Sequence, residues 1–235
     1  MQLFPDLKPT ALPPEIRFVQ GDVNEVDFAC IADASLVVAD PPWTYEGGLY
    51  GRADVAEIEK HYANMSMGDI VRALNRVHAA FPEERTKERG VRLAMWATFP
   101  LLERWFHESH DLKWRYVSGG AWVKDGGGVG HHWLGAAELV LLYTKGVHLT
   151  NHFGALRNGH ASQRRQHSEK PTDWMAQWIE RWTEPGDLVV DIFSGLGPLA
   201  RACHRTKRRY IGFDSDASRI EKAEDLLRAF MGGVE

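Results

Sequence analysis

Leu36-Val37-Val38-Ala39-Asp40-Pro41-Pro42-Trp43 joins an unbroken apolar run to an acid, two prolines and an indole. Four apolar residues in a row read as a short strand buried on both faces, the pattern of a parallel sheet. The two prolines end that strand and fix a stiff extended turn. Backbone carbonyls just past the strand then lack ladder partners and are free to accept hydrogen bonds. An acidic acceptor, a rigid carbonyl and an aromatic face gathered at one strand end suit an exocyclic amine on a flat heteroaromatic ring. Asp-Pro turns are also common at strand ends for purely local reasons, so the rest of the chain has to support this reading.

The neighbouring segments alternate between strand and helix patterns. Glu15–Gln20 reads as a strand ending at Gly21-Asp22, and residues 24–34 as a short helix or loop leading to Leu36. Ser66 caps a helix carrying Ile70, Leu74 and Val77 on its apolar side. Glu83–Arg89 reads as a charged surface loop, Val91–Thr98 as a buried strand and Leu101–His110 as a helix. Trp114–Lys124 reads as a strand broken at Gly119-Gly120, and Glu138–Thr144 as another strand. Pro171–Trp182 is a helix with proline in its first turn. Asp187–Ile192 (strand), Gly197–His204 (helix), Arg209–Phe213 (strand) and Asp216–Phe230 (helix) complete the chain. This alternation predicts an α/β fold with a mostly parallel sheet covered on both faces.

A second cluster of chemistry-bearing residues, Asp191-Ile192-Phe193-Ser194-Gly195-Leu196-Gly197, joins a buried strand to a helix. Glycines there let a ligand approach the backbone, and the helix start offers unpaired N–H groups. The next strand ends at Asp214, about twenty residues on, where a nucleoside-binding βαβ unit places its ribose-binding acid. Lys170, just before the preceding helix, is placed to meet a ligand carboxylate as a point charge. A dinucleotide fits less well, because its pyrophosphate wants a longer glycine pattern and position 200 is Ala. Ribose, carboxylate and adenine together point to S-adenosylmethionine.

Length and composition set the outer bounds. The 235 residues suit one large domain, with residues 1–14 as a proline-rich arm and 15–235 as the domain itself. Within it, 15–145 forms a catalytic half, 146–169 a short basic loop segment and 170–235 a cofactor half. The two cysteines, Cys30 and Cys203, lie far apart, which suits a reducing cytoplasm. No run is long enough to span a bilayer, and the first residues do not open a secretory signal. A net charge of −4 argues against a general polyanion binder, so contacts with nucleic acid are local. The basic groups available are Arg157, Arg164 and Arg165, then Arg201, Arg205, Lys207, Arg208 and Arg209. His131-His132 lacks a third ligand at suitable spacing, so no metal is expected. Most of the nine tryptophans read as core, with a few left to stack on bases.

The motifs, in this order, resemble beta-class amino-methyltransferases acting on DNA. In that group the catalytic tetrapeptide precedes the Lys-Pro element and the glycine loop, as at 40–43 and 167–197 here. The first half resembles the family of the messenger-RNA adenine methyltransferase and its bacterial and phage relatives. It does so through Ala39–Trp43, His61–Ser66, Ala121–Lys124 with its glycine loop, and Ala137–Leu142. The resemblance implies a Rossmann-like, seven-stranded methyltransferase fold in permuted order, with S-adenosylmethionine as cofactor. It implies that Asp40 and the Pro41 carbonyl hold the target amine, that Pro42 shapes the turn and that Trp43 stacks on the base. Asp22 and Val23 match the turn that reads the cofactor adenine, and Lys170 the group that pairs with its carboxylate. Asp40, Asp191, Phe193, Ser194, Gly195 and Gly197 line the cofactor, and Asp214 holds its ribose. Tyr45 and the arginines at 157, 164 and 165 are the expected nucleic-acid contacts. Pro198 and Leu199 replace hydroxyl residues that often follow the glycines. The segment available for target recognition, 146–166, is short, which implies either low sequence specificity or a second copy or partner subunit that supplies it. The activity implied is N6-adenine methylation of DNA. The alternatives are cytosine N4 or RNA adenine, and, from another class, a non-catalytic nucleic-acid-binding partner subunit.

Overall fold

A computed structural model describes residues 11–44, 64–123, 137–146 and 170–233. Seven strands form one sheet: β1 (Ile16–Gln20), β2 (Leu36–Ala39), β3 (Val91–Ala97), β4 (Arg115–Val123), β5 (Ala137–Lys145), β6 (Leu188–Asp191) and β7 (Arg209–Asp214). Their spatial order is β1-β7-β6-β2-β3-β5-β4. Four neighbouring pairs, from β1·β7 to β2·β3, are parallel, while β5 runs antiparallel to both β3 and β4. The expected mostly parallel seven-stranded sheet is therefore present, with one reversed strand.

The helices are α1 (Met67–Ala79), α2 (Glu83–Glu88), α3 (Phe99–Glu108), α4 (Thr172–Trp182), α5 (Pro198–Arg205) and α6 (Ala217–Met231). Side chains alternate across the sheet with period two and feed two cores. Val37, Ala39, Leu93, Met95, Val190 and Phe213 pack with α1 and α3 on one face. Leu36, Val38, Trp96, Val189 and Tyr210 pack with α4, α5 and α6 on the other. Every residue of β2 and of β6 is buried, which is why those strands read as continuous apolar runs.

The ends of α1 follow from its sequence. Ser66 accepts from the Asp69 N–H at 3.1 Å and donates its hydroxyl to the Asp69 carboxylate at 2.7 Å, a reciprocal cap that satisfies a free helix-end donor. Asp216 caps α6 through the Ser218 N–H. Residues 24–34 contain only a 3-10 turn, Ala29–Ile31.

Two expectations are corrected. Glu83–Arg89 is not a loop but carries α2. Two glutamates sit in its first turn and complement the helix dipole. Thr86 is buried, and Arg85 reaches the carbonyls of Asp33 and Ala34, so tertiary bonds hold a segment that looks solvated. Nor is β4 broken at Gly119-Gly120, which stay in register opposite Leu141 and Val140. The irregularity falls between Tyr116 and Ser118, where the extra residue is Val117. No helix among the described residues is long and apolar enough to cross a membrane.

Candidate active site

β2 and β6 lie side by side, with Val38 opposite Asp191, and the Ile192 N–H donates to the Val38 carbonyl at 3.1 Å. From β6 the chain proceeds to β7 on one side; from β2 it proceeds to β3 on the other. The strand order reverses between them, and a crevice opens beyond the carboxyl ends at such a point. The Asp40 turn and the glycine loop are the two segments that leave the sheet there.

The proline turn is more tightly tied than its sequence suggests. The Trp43 N–H donates to the Pro41 carbonyl, and the Met65 N–H to the Pro42 carbonyl, both at 2.9 Å. Neither carbonyl is free, but each keeps a second lone pair. The Thr44 hydroxyl closes the same link by donating to the Met65 carbonyl. Trp43 departs from its expected role as a stacking platform. Its side chain is buried, edge-on to Trp105 with ring centroids 5.5 Å apart. Trp105 is fixed in turn by its indole N–H, which donates to the Tyr143 hydroxyl at 2.7 Å. Withdrawing an indole of this size from the core costs about 4 kcal/mol or more. Stacking on a base returns roughly 1–3 kcal/mol, so the indole stays inside.

Asp40 is not alone beyond β2. The Lys170 Nζ lies 2.8 Å from its Oδ2 and 3.2 Å from Glu138 Oε2, and sits 5.0 Å from the centroid of the Trp96 ring. Burial pushes the Asp40 carboxyl above the ordinary range; Lys170 opposes this and Glu138 adds to it. Burial pushes the Lys170 ammonium down, but Asp40 and Glu138 outweigh it and hold it above its usual value. Lys170, expected to meet a cofactor carboxylate, is thus already paired with two carboxylates of its own chain. Glu138 carries no role in the sequence reading. Its one signal is an acid just before the apolar run Leu139–Leu142.

The two glycines of the loop do different work. Gly195 and Gly197 both have positive φ, +49° and +67°. A Cβ on Gly195 would meet nothing within 4 Å, whereas one on Gly197 would lie 3.0 Å from Phe18 and 3.2 Å from Ala223. Gly195 therefore faces open space, and Gly197 lets α5 close on the sheet. The Gly195 N–H donates to Asp214 Oδ2 and the Asp216 N–H to Asp214 Oδ1, both at 2.9 Å. The ribose-acid candidate thus also fixes the loop. Ser194 bonds through its N–H to the Phe213 carbonyl, and the buried Arg201 donates to the Leu196 carbonyl at 3.0 Å. The Phe193 N–H donates to Asp191 Oδ1 at 3.2 Å.

At the end of β1, Gly21 donates to the Asp214 carbonyl, and Asp22 Oδ1 accepts from the Asn24 N–H at 2.8 Å. Strand order then sets Asp22, Asp214, Asp191 and Asp40 in sequence along one edge of the sheet. Burial, with the Asp40 and Asp214 charges adding to it, lifts the Asp191 carboxyl to about 7. Burial also raises Asp214, against the N–H groups it accepts from. An acidic edge of this kind suits a ligand carrying positive charge.

A family profile described as DNA methylase, grouping N6 and N4 methyltransferases, matches residues 107–225. The chain belongs to the DNA methylase family. Solved structures share its fold. M1.HpyAVI superposes with a TM-score of 0.62 at 15% identity, over 90% of this chain and 98% of that one. TTHA0409 from Thermus thermophilus, a putative DNA modification methylase complexed with S-adenosyl-L-methionine, gives 0.61 at 17% identity, over 90% and 92%. PvuII DNA methyltransferase, cytosine-N4-specific, gives 0.60 at 15% identity, over 92% and 88%. The catalytic-type turn precedes the glycine loop in this methylase, the permuted order of the beta class.

The basic run near residue 205 is not a nucleic-acid surface at this site. It connects α5 to β7 at the starting ends of the strands, opposite the crevice. Arg208 is buried on Thr183 and Thr206, Arg205 pairs with Asp173, and Arg209 with Asp33. Tyr45, Arg157, Arg164, Arg165, His131, His132 and all of residues 45–63, 124–136 and 147–169 lie outside the described residues.

Proposed function

We propose that this DNA methylase moves a methyl group from S-adenosylmethionine to the N6 amine of adenine in DNA. The observation that carries the reading is the pairing of Val38 with Asp191, which puts the Asp40 turn and the glycine loop on adjacent strand tips. The cofactor fits the residues present. Open space beside Gly195 admits a ligand against the backbone, and Asp214 and Asp22 offer carboxylates on neighbouring strands. Asp191, Phe193, Ser194 and Gly197 complete the loop, and the acidic edge matches a cationic group. Bound there, S-adenosylmethionine supplies an electrophilic methyl group on a sulfonium.

The chain's own task is to make a poor nucleophile reactive. The lone pair of an exocyclic amine is delocalised into its ring. Asp40 accepts one N–H, and the second lone pair of the Pro41 carbonyl accepts the other, which favours a tetrahedral nitrogen. Lys170 opposes the burial that raises the Asp40 carboxyl, so it favours the anionic acceptor as positive charge develops on nitrogen. A well-placed group of this kind is worth roughly 3–4 kcal/mol. Asp40 keeps a third of its side chain open and passes the released proton toward solvent. Adenine in a duplex must leave the stack first, at a cost of a few kcal/mol. Arg157, Arg164 and Arg165 are the proposed phosphate contacts.

Adenine is preferred because the Asp40-Pro41-Pro42-Trp43 tetrapeptide resembles the adenine-modifying relatives. The N4 amine of cytosine is the alternative, given the shared fold with a cytosine-N4-specific enzyme. Incubation with methyl-labelled cofactor and a panel of DNA and RNA, followed by nucleoside analysis, decides between them. The expected product is N6-methyladenine from DNA; label on cytosine or on RNA alone overturns the reading. Asp40→Ala should abolish transfer while cofactor affinity changes little, because Lys170 stays neutralised by Glu138.

A further inference from the structure

The turn after β1 that presents Asp22 and Val23 is held from a distance by one side chain. Arg76, in the last turn of α1, donates from Nη1 to the Val23 carbonyl at 2.7 Å and from Nη2 to the Val26 carbonyl at 2.8 Å. These donors span the turn that also bonds itself, with Glu25 and Val26 both donating to the Asp22 carbonyl at 2.8 Å. The guanidinium lies over the Phe28 ring, 5.6 Å from its centroid. Phe28 packs edge-on against Phe213, centroids 5.3 Å apart, and Phe213 directly precedes Asp214. A single contact chain therefore runs from Arg76 beneath both Asp22 and Asp214. The other end of α1 is joined to the catalytic turn, since Met65 bonds the Pro42 carbonyl and Ser66 caps the helix.

We propose that Arg76 is a positioning residue for the cofactor's adenine ring. Its planar fork fixes two carbonyls three residues apart, and so sets the direction of the Val23 N–H and the Asp22 carboxylate. A lysine, as a point donor on a flexible stem, would hold the two carbonyls with less fixed geometry than the planar fork does. Arg76 touches neither cofactor nor substrate; it acts through the turn. The inference rests on the reading of the crevice as an S-adenosylmethionine site.

The test uses calorimetry with S-adenosylhomocysteine and S-inosylhomocysteine, which differ only on the reading edge of the purine: the C6 amine becomes a carbonyl and N1 gains a proton. Wild-type protein should prefer the adenosyl compound. Arg76→Met should bind it about tenfold more weakly or worse, and its preference over the inosyl compound should shrink. The cofactor KM should rise while kcat at saturating cofactor is retained. Arg76→Lys should fall between the two. If Arg76→Met does not fold, Phe28→Leu removes only the ring beneath the guanidinium and should weaken the same preference in part. A wild-type protein that binds neither compound overturns the cofactor site itself. Wild-type binding with the preference unchanged in Arg76→Met, or in Phe28→Leu where that variant stands in, overturns only the role of Arg76.

Discussion

Replacing Asp191 by Asn should make the protein more stable at alkaline pH, and the size of the gain follows from its surroundings. Asp191 is 5% exposed and ends β6 between Asp40 and Asp214. It accepts from Phe193 at 3.2 Å, and the Tyr210 hydroxyl approaches only to 3.4 Å. Burial first, then the neighbouring carboxylates, lift the group from 3.8 to about 7. Between those values the folded chain keeps a proton that the unfolded chain has lost. Stability from this group is thus fully present below pH 4 and is lost as pH rises through 7. The full loss is about 4 kcal/mol, and about 3 kcal/mol of it falls between pH 5 and 8. Against a usual total of about 5–15 kcal/mol this is a large fraction. Asn keeps an oxygen for the Phe193 N–H but has no charge to lose. Urea unfolding of both proteins at pH 5, 6, 7 and 8, without cofactor, reads the effect, because titrating groups remote from Asp191 cancel in the difference. The advantage of Asp191→Asn should grow from pH 5 to 7 and level off above it. An advantage that is constant over that range would refute the argument.

Lys170→Met leaves Asp40 and Glu138 facing each other without a cation; removing one partner of a buried pair costs roughly 3–5 kcal/mol, and the partial exposure of Asp40 puts the loss near the lower end. A clear fall in Tm should accompany a shift of the acid limb of the rate profile to higher pH, because Asp40 then ionises less readily. Gly197→Ala combines a left-handed backbone with contacts to Phe18 and Ala223, and should cost about 1–3 kcal/mol in urea unfolding. Gly195→Ala meets open space and should cost only about 1 kcal/mol, yet it should weaken S-adenosylhomocysteine binding measured by calorimetry.

The parts of this fold that could be read from the chain are those whose cause is local. Leu36–Ala39 and Leu188–Val190 are apolar at every position because both faces of a parallel sheet are covered, and each run is followed by an acid. The Ser66 cap is written in four residues. Glu138 could not be found this way. It reaches Lys170 only because β5 is the reversed strand: Leu139 pairs with Ala97, so the start of β5 lies at the finishing end of β3. Arg76 meets carbonyls about fifty residues away, and α2 is held by Arg85 on Asp33 and Ala34. These are tertiary bonds with no periodic trace. Trp43 misled for the opposite reason. Its place in a motif suggests a ligand, while its contacts with Trp105 are those of a core residue.

The tryptophans nevertheless serve the site from below. Trp96 carries Lys170 on its face and is ringed by Trp122, Trp174 and Trp178, with centroids 5.3–6.1 Å away. All four are almost wholly buried. Such a wall excludes water and lowers the local dielectric, which strengthens the attraction between Lys170 and Asp40 relative to the same pair in solvent. It also penalises any arrangement that leaves either charge unpaired. A carboxylate held this way does not need to reorganise when positive charge appears beside it. The acceptor geometry at the end of β2 is therefore set by the aromatic packing beneath α4 as much as by the two prolines that follow Asp40.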